Sequence, residues 1–285
     1  MKIRSLDLSD NAINAEHEAL GLPPIEDDVS HPSHHPVLRT AVWAVVFMLI
    51  GVIGYLGTRL FNGTHELTGF QLIAQTLTGE TFWKAVAVGL LAQTVDGALG
   101  MAYGITSTSF LLVTGASPAV ASASVHIAEV FTTGVSGISH IKLGNVNKNL
   151  FLRLLVPGMI GASIGAWTVA TVDGSVIKPY ISAYLCLMGL YIISKIFRTI
   201  KVRKEEPKHV AKLGLLGGFV DAVGGGGWGP VVTTTLVGTG QDPRTPIGSV
   251  DLAEFFLTFL SATVFAILVD EAPWPTVAGL VVGGL

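Results

Sequence analysis

GLLAQTVDGALGMAYG (residues 89–104) and GLLGGFVDAVGGGGWG (residues 214–229) are one passage written twice. Shifted by 125 positions, residues 89–136 and 214–261 agree at nineteen of forty-eight places without a gap, which makes an internal duplication the organising fact of the chain. Asp96 pairs with Asp221, Gly100 with Gly225, Gly104 with Gly229, Pro118 with Pro243, Ser124 with Ser249 and Glu129 with Glu254. Both copies are apolar, and both place an acid and then a glycine break inside the apolar run. Duplicated hydrophobic segments that are interrupted and bear charge are a pattern of secondary transporters.

Composition agrees. Half of the 285 residues are hydrophobic and 13% are charged, where an ordinary soluble domain carries about 25% charge. A polytopic membrane protein follows. The net charge of −3 offers no dense basic face, which argues against a nucleic-acid role. A single cysteine, Cys186, excludes an internal disulfide and a four-cysteine metal site, and its apolar surroundings suggest an inert, packed thiol. Residues 1–36 form a polar, acid-containing leader without the apolar core of a secretory signal. His31, His34 and His35 sit on its proline-broken end and read as a solvated linker rather than a metal site.

Beyond the leader, residues 37–60 hold a first transmembrane helix, with eighteen uncharged positions at 41–58. A polar stretch with a short surface helix near 68–77 follows. Repeat one occupies 84–198: a short apolar piece 85–99, glycines at 97, 100 and 104, a second piece 105–113, then spans at 119–141, 154–172 and 179–194. The piece 85–99 alone falls short of about 30 Å of hydrocarbon at 1.5 Å per residue. A basic connector, 199–212, lies among Lys195, Arg198, Lys201, Arg203, Lys204, Lys208 and Lys212, which places it in the cytoplasm. Repeat two, 213–285, replays the pattern with pieces at 213–223 and 231–239 and a span at 247–269. It stops twelve residues into the next apolar run, at Leu285, and truncation is the expectation.

Two topologies fit. If each broken unit is a single crossing, the copies are parallel and the leader lies outside. If each is a re-entrant hairpin, entering and leaving on one side, the leader is cytoplasmic and the copies are inverted. The hairpin is adopted, since irregular backbone is tolerated at membrane depth where it lines a cavity.

The glycines carry the first chemical reading. Gly100, Gly104, Gly225, Gly226 and Gly229 put side-chain-free backbone where two half-helices meet, so a ligand can approach peptide N–H groups. The N-terminus of the following half-helix favours an anion. Close packing through small residues is the competing reading. No Lys-Ser or Lys-Thr follows, so this is not a phosphate loop of the Walker kind.

This stretch resembles the sulfite exporter TauE/SafE family of membrane permeases. So does Ala121-Ser-Ala-Ser124, followed by Ser139-His-Ile-Lys-Leu-Gly-Asn-Val146. The resemblance covers residues 84–285 and implies transport of a small sulfur-containing anion such as sulfite or a sulfonate. The chain departs from the family pattern in its long leader and in Asp96, His126, Glu129, Asp251 and Glu254.

Asp96, Asp221, Glu129 and Glu254, with His126 and its counterpart Asp251 three residues before each glutamate, form the coupling set. A carboxylate at bilayer depth costs about 2.5–3.5 kcal/mol on insertion scales, so it faces a cavity or a partner. Burial suits such a group to carry a proton; structural pairing between helices is the equal alternative. Thr106, Ser107, Thr108 and Ser109 after the first break, and Thr233, Thr234 and Thr235 after the second, offer neutral donors to oxyanion oxygens. They can equally bond back to their own backbone. Tyr103 and Trp228, paired by the repeat, are the gating candidates, with packing as the rival role. His140, Lys142 and Asn145 belong to the cytoplasmic edge.

The reading is therefore an all-α, polytopic permease of the cytoplasmic membrane with two inverted repeats, each bearing a Gly-broken hairpin. Its expected partners are the lipid bilayer, a small anion, protons and a second copy, with no cofactor, metal or enzymatic activity. The rivals are an anion channel, a membrane-embedded metal-dependent enzyme, for which no HExxH or GxSxG occurs, and a membrane-bound sensor.

Overall fold

A computed structural model describes residues 35–62, 67–196, 209–238, 243–269 and 273–285, and every regular element among them is helical. In chain order these are α1 (Pro36–Asn62), α2 (Gly69–Thr78), α3 (Glu80–Leu99), α4 (Tyr103–Val113), α5 (Pro118–Lys142), α6 (Lys148–Thr171), α7 (Gly174–Ile196) and α8 (Val210–Gly224). A turn of π-helix, Gly229–Thr233, then runs into α9 (Thr234–Gly238), followed by α10 (Arg244–Leu268) and α11 (Trp274–Gly284). The cationic side chains from Lys195 to Lys208, and residues 1–34 of the leader, lie outside the described residues.

Among the described residues, four helices are long and apolar enough to cross a membrane: α1, α6, α7 up to Ser194, and α10. Helix α6 shows how the sequence sorts its faces. Leu152, Val156, Ile160, Ile164 and Trp167 recur every three or four positions and are exposed, as residues facing hydrocarbon must be. The opposite face is built of Gly158, Gly161, Ala162, Gly165 and Ala166, all buried. Cys186 is exposed on α7, not packed as its apolar neighbourhood suggests, because α7 has few buried positions. Helix α3 begins at Glu80, upstream of the apolar piece read from the sequence, and its 20 residues span roughly 30 Å.

The two copies exchange partners. Helix α6 packs most densely on α8, the broken helix of the second copy. Its counterpart α11 packs on α3, the broken helix of the first. Both contacts run through glycine: a Cβ on Gly218 would overlap the Gly158 carbonyl, and one on Gly283 would overlap that of Val86. Small residues let helix backbones approach in this way, and dispersion and close packing replace the hydrophobic effect inside a bilayer. Gly218→Val is accordingly expected to lower the thermal midpoint of the detergent-purified protein and its membrane yield. Overpacking costs about 1–3 kcal/mol, and an unchanged midpoint would show that the α6–α8 seam can open.

Between these pairs lie α5 and α10, the equivalent long helices of the two copies. Gly134 packs on Phe255, Gly137 on Leu252, and His140 on Gly248, so numbering rises on α5 as it falls on α10. The equivalent helices are antiparallel neighbours. Helix α5 is 25 residues long but carries polar residues and is largely buried, so it sits inside the bundle and is not among the four strongly apolar spans.

Candidate functional site

The two glycine breaks fold alike. Gly100 and Gly225 each take a left-handed conformation, φ 69° and 63°, and cap the preceding helix by donating their N–H to the carbonyls of Asp96 and Asp221. Each aspartate then reaches across its break. The Asp96 carboxylate accepts the Tyr103 N–H at 3.1 Å; that of Asp221 accepts Gly227 N–H at 2.8 Å and Trp228 N–H at 2.9 Å. An acid one turn before the break thus caps the half-helix after it, with its charge at the favourable end of the dipole. Part of the N–H set that the glycines seemed to offer an anion is already occupied by these carboxylates.

The breaks also meet each other. A Cβ on Gly226, at φ 137°, would overlap Gly104 and the Ile105 nitrogen, and one on Gly104 would come to 2.7 Å from Glu129 Oε1. The Thr108 hydroxyl donates to the Gly225 carbonyl across the same junction. Beside this junction lies a cavity of about 40 Å³, roughly three times the space one water needs. Its walls bring together Gly100, Gly104, Gly226, Gly229 and Tyr103 with four carboxylates: Asp96, Glu129, Asp251 and Glu254. Among the described residues, no lysine, arginine or histidine lines it. Glu129 is 2% exposed, and its Oε2 has no hydrogen-bond partner.

The remaining sequence candidates lie off that wall. Thr234 donates to the Pro230 carbonyl, Thr233 Oγ1 is buried, and Thr106 and Ser109 are half-buried on α4. Trp228 is fully buried, with its indole N–H on the Val250 carbonyl at 3.1 Å, so it packs the interior, whereas Tyr103 faces the cavity and donates its hydroxyl to the Leu280 carbonyl at 2.9 Å. His126 and Asp221 form a pair of their own, Nε2 to Oδ2 at 3.2 Å, with both side chains wholly buried. Asp251 instead accepts Ser136 Oγ–H at 2.7 Å and lies 3.4 Å from His140 Nε2.

Several wall residues escaped the sequence reading: Gln93, Ala102, Thr132, Thr133 and Ser136. Gln93 and Ala102 could not be told from ordinary packing or loop residues, but the three on α5 did carry a signal. Glu129, Thr132, Thr133, Ser136 and His140 recur at three- and four-residue intervals, a polar stripe along an otherwise small and apolar helix. Ala102 takes φ 125°, a conformation a residue with a Cβ rarely adopts. It marks a strained point in the first break, where the second copy has Gly227.

Membrane-length apolar helices around a polar, carboxylate-lined interior define a multi-pass membrane protein. Comparison with known proteins gives its family: residues 85–285 match the family described as Sulfite exporter TauE/SafE, so the chain belongs to that family of membrane transporters. A relative in Bacillus subtilis (strain 168), named "Probable membrane transporter protein YtnM", is 47% identical over 208 residues, 70% of this chain and 69% of the relative. No solved structure matches the chain.

Proposed function

We propose that the chain is a secondary permease that moves a small sulfur oxyanion, sulfite or a sulfonate, across the cytoplasmic membrane together with protons. The observation that carries this reading is the junction of the two breaks. Backbone from both copies and four carboxylates share one small wall, so any rocking of one copy against the other remakes the site. Glycine backbone supplies close approach for an oxyanion. The carboxylates repel it while charged, and each becomes a hydrogen-bond donor once protonated. Anion and proton therefore favour each other's binding, which is the elementary requirement for coupled movement.

Inverted copies joined by re-entrant hairpins are part of the proposal, and two contacts support them. Lys148 Nζ, at the start of α6, lies 2.8 Å from His35 Nε2 at the start of α1, which puts the entry to α1 beside the loop that follows α5. If α1 and α5 both cross, the chain from α2 to α4 must enter and leave on the opposite side. The antiparallel packing of α5 on α10 agrees. A cysteine at position 30 or 206 is expected to resist an impermeant maleimide in intact cells, and one at 174 to react. Labelling at 30 would favour parallel copies with single broken crossings.

The direct test of function is uptake of radiolabelled sulfite into proteoliposomes, with thiosulfate, sulfate and a sulfonate as competitors. A permease saturates and responds to a proton gradient. Flux that rises linearly with concentration and ignores the gradient identifies a channel instead.

A further inference from the structure

The duplication lets each side chain be compared with its own counterpart, and one triad is not conserved between the halves. In the first triad, His126 touches Asp221 at 3.2 Å and lies against Phe265, ring centroids 5.6 Å apart. Shifting each by 125 positions gives Asp251, Asp96 and His140. Those residues also meet: Asp251 lies 3.4 Å from His140 and shares both the cavity wall and electrostatic reach with Asp96. The imidazole has moved from the central position of one triad to the outer position of the other.

The consequences differ sharply. The His126–Asp221 side chains are both 0% exposed, and the outer position is a phenylalanine, which cannot carry a proton. His126 Nδ1 is engaged with the Ser122 carbonyl at 2.8 Å, so both ring nitrogens are held. Side chains so paired and sealed form a fixed latch. The His140 and Asp251 side chains are 20% and 18% exposed, and the outer position is a histidine. An imidazole is the side chain whose ordinary titration falls in the physiological range. His126 and His140 are fourteen residues apart on α5, about 21 Å along the axis, so the first lies within the bundle and the second near the end of α5.

We infer that His140, Asp251 and Asp96 form a one-sided proton entrance to the cavity, and that His126, Asp221 and Phe265 are its sealed counterpart. The route has an end point in Glu129, which lines the same cavity and whose buried Oε2 has no hydrogen-bond partner. Its first step is defined. The Asn145 amide nitrogen lies 3.2 Å from His140 Nδ1 and donates to it, which leaves the ring proton on Nε2, facing Asp251 Oδ2. A hydronium ion from the exposed side protonates Nδ1 as the Asn145 contact opens, giving the imidazolium; the Nε2–H bond then breaks as the Asp251 Oδ2–H bond forms, leaving a neutral ring and water, so that one proton moves and no electrons do. Asp251 is the charged group that α10 turns to His140, Asn145 is the polar group from the following loop, and Ser136 holds Asp251 from α5. By the orientation proposed above, this entrance opens to the cytoplasm.

The inference deepens the proton-coupled reading and rests on it for its purpose, but its test needs no anion. The purified protein is reconstituted in vesicles of known orientation, and the pH of one compartment is stepped with impermeant buffer. A membrane-permeant carbodiimide, which reacts with protonated carboxyl groups, reports by peptide mass which acids carry protons. Modification of Asp251 and Asp96 is expected to follow the pH of the compartment that His140 faces, and Asp221 to stay unmodified from either side. In His140→Phe the response to a pH step should slow at least ten-fold. His140→Asn, which keeps a polar group beside Asp251 but cannot relay, should match it. Modification that follows the other compartment, or a wild-type response in His140→Asn, overturns the inference. Wild-type vesicles that fail to transport sulfite would remove the substrate proposal while leaving this result readable.

Discussion

Gly226→Val is expected to reduce anion uptake by roughly a hundred-fold or more while the protein still reaches the membrane. The residue sits at φ 137°, where a branched side chain is strained, and strain of this kind costs about 1–3 kcal/mol. Its Cβ would also occupy the space of Gly104 and Ile105, so the two breaks must separate. The damage falls at the cavity wall, unlike that of Gly218→Val in the packing seam. About 2.7 kcal/mol lost from the assembled site accounts for the hundred-fold. Uptake measured per molecule of protein in the membrane is the decisive quantity. An active Gly226→Val protein would mean that the breaks only pack helices and that the anion binds elsewhere.

The second large effect belongs to the glutamates. Glu129→Gln combined with Glu254→Gln keeps the shape of the cavity wall and removes two of its four titrating groups. In the wild type, acidification protonates the wall and admits the anion, so uptake should rise as pH falls. In the double variant that slope should flatten, and gradient-driven uptake should fall at least about ten-fold, equivalent to 1.4 kcal/mol. Asp96 and Asp251 remain, so a residual slope is expected. An unchanged pH profile, with full gradient-driven uptake, would reduce both glutamates to structural groups.

Much of this molecule could be read in advance, and the reason is physical. A membrane helix must be apolar over its length, so α1, α6, α7 and α10 stand out from composition alone. Breaks need glycine, so Gly100 and Gly225 mark their own positions. The partner of each polar group was less legible. That Asp221 meets His126, while Asp251 takes Ser136 and His140, depends on contacts between residues about a hundred positions apart. Helix α5 was the other difficulty. Its Ser, Thr, His and Glu residues lower its hydropathy because it faces protein rather than lipid, so the helix nearest the cavity carries the weaker membrane signal.

The exchange of helices between the copies bears on ancestry. Since α6 of the first copy covers α8 of the second, and α11 of the second covers α3 of the first, neither half has a closed interior of its own. Under the inverted arrangement proposed above, a single-copy forebear with these contacts would have worked only as a pair of identical chains inserted in opposite senses. A chain that carries both copies lets each half change independently. Both imidazoles, His126 and His140, lie in the first copy, where the second has Asp251 and Phe265, a difference that a symmetric pair could not have held.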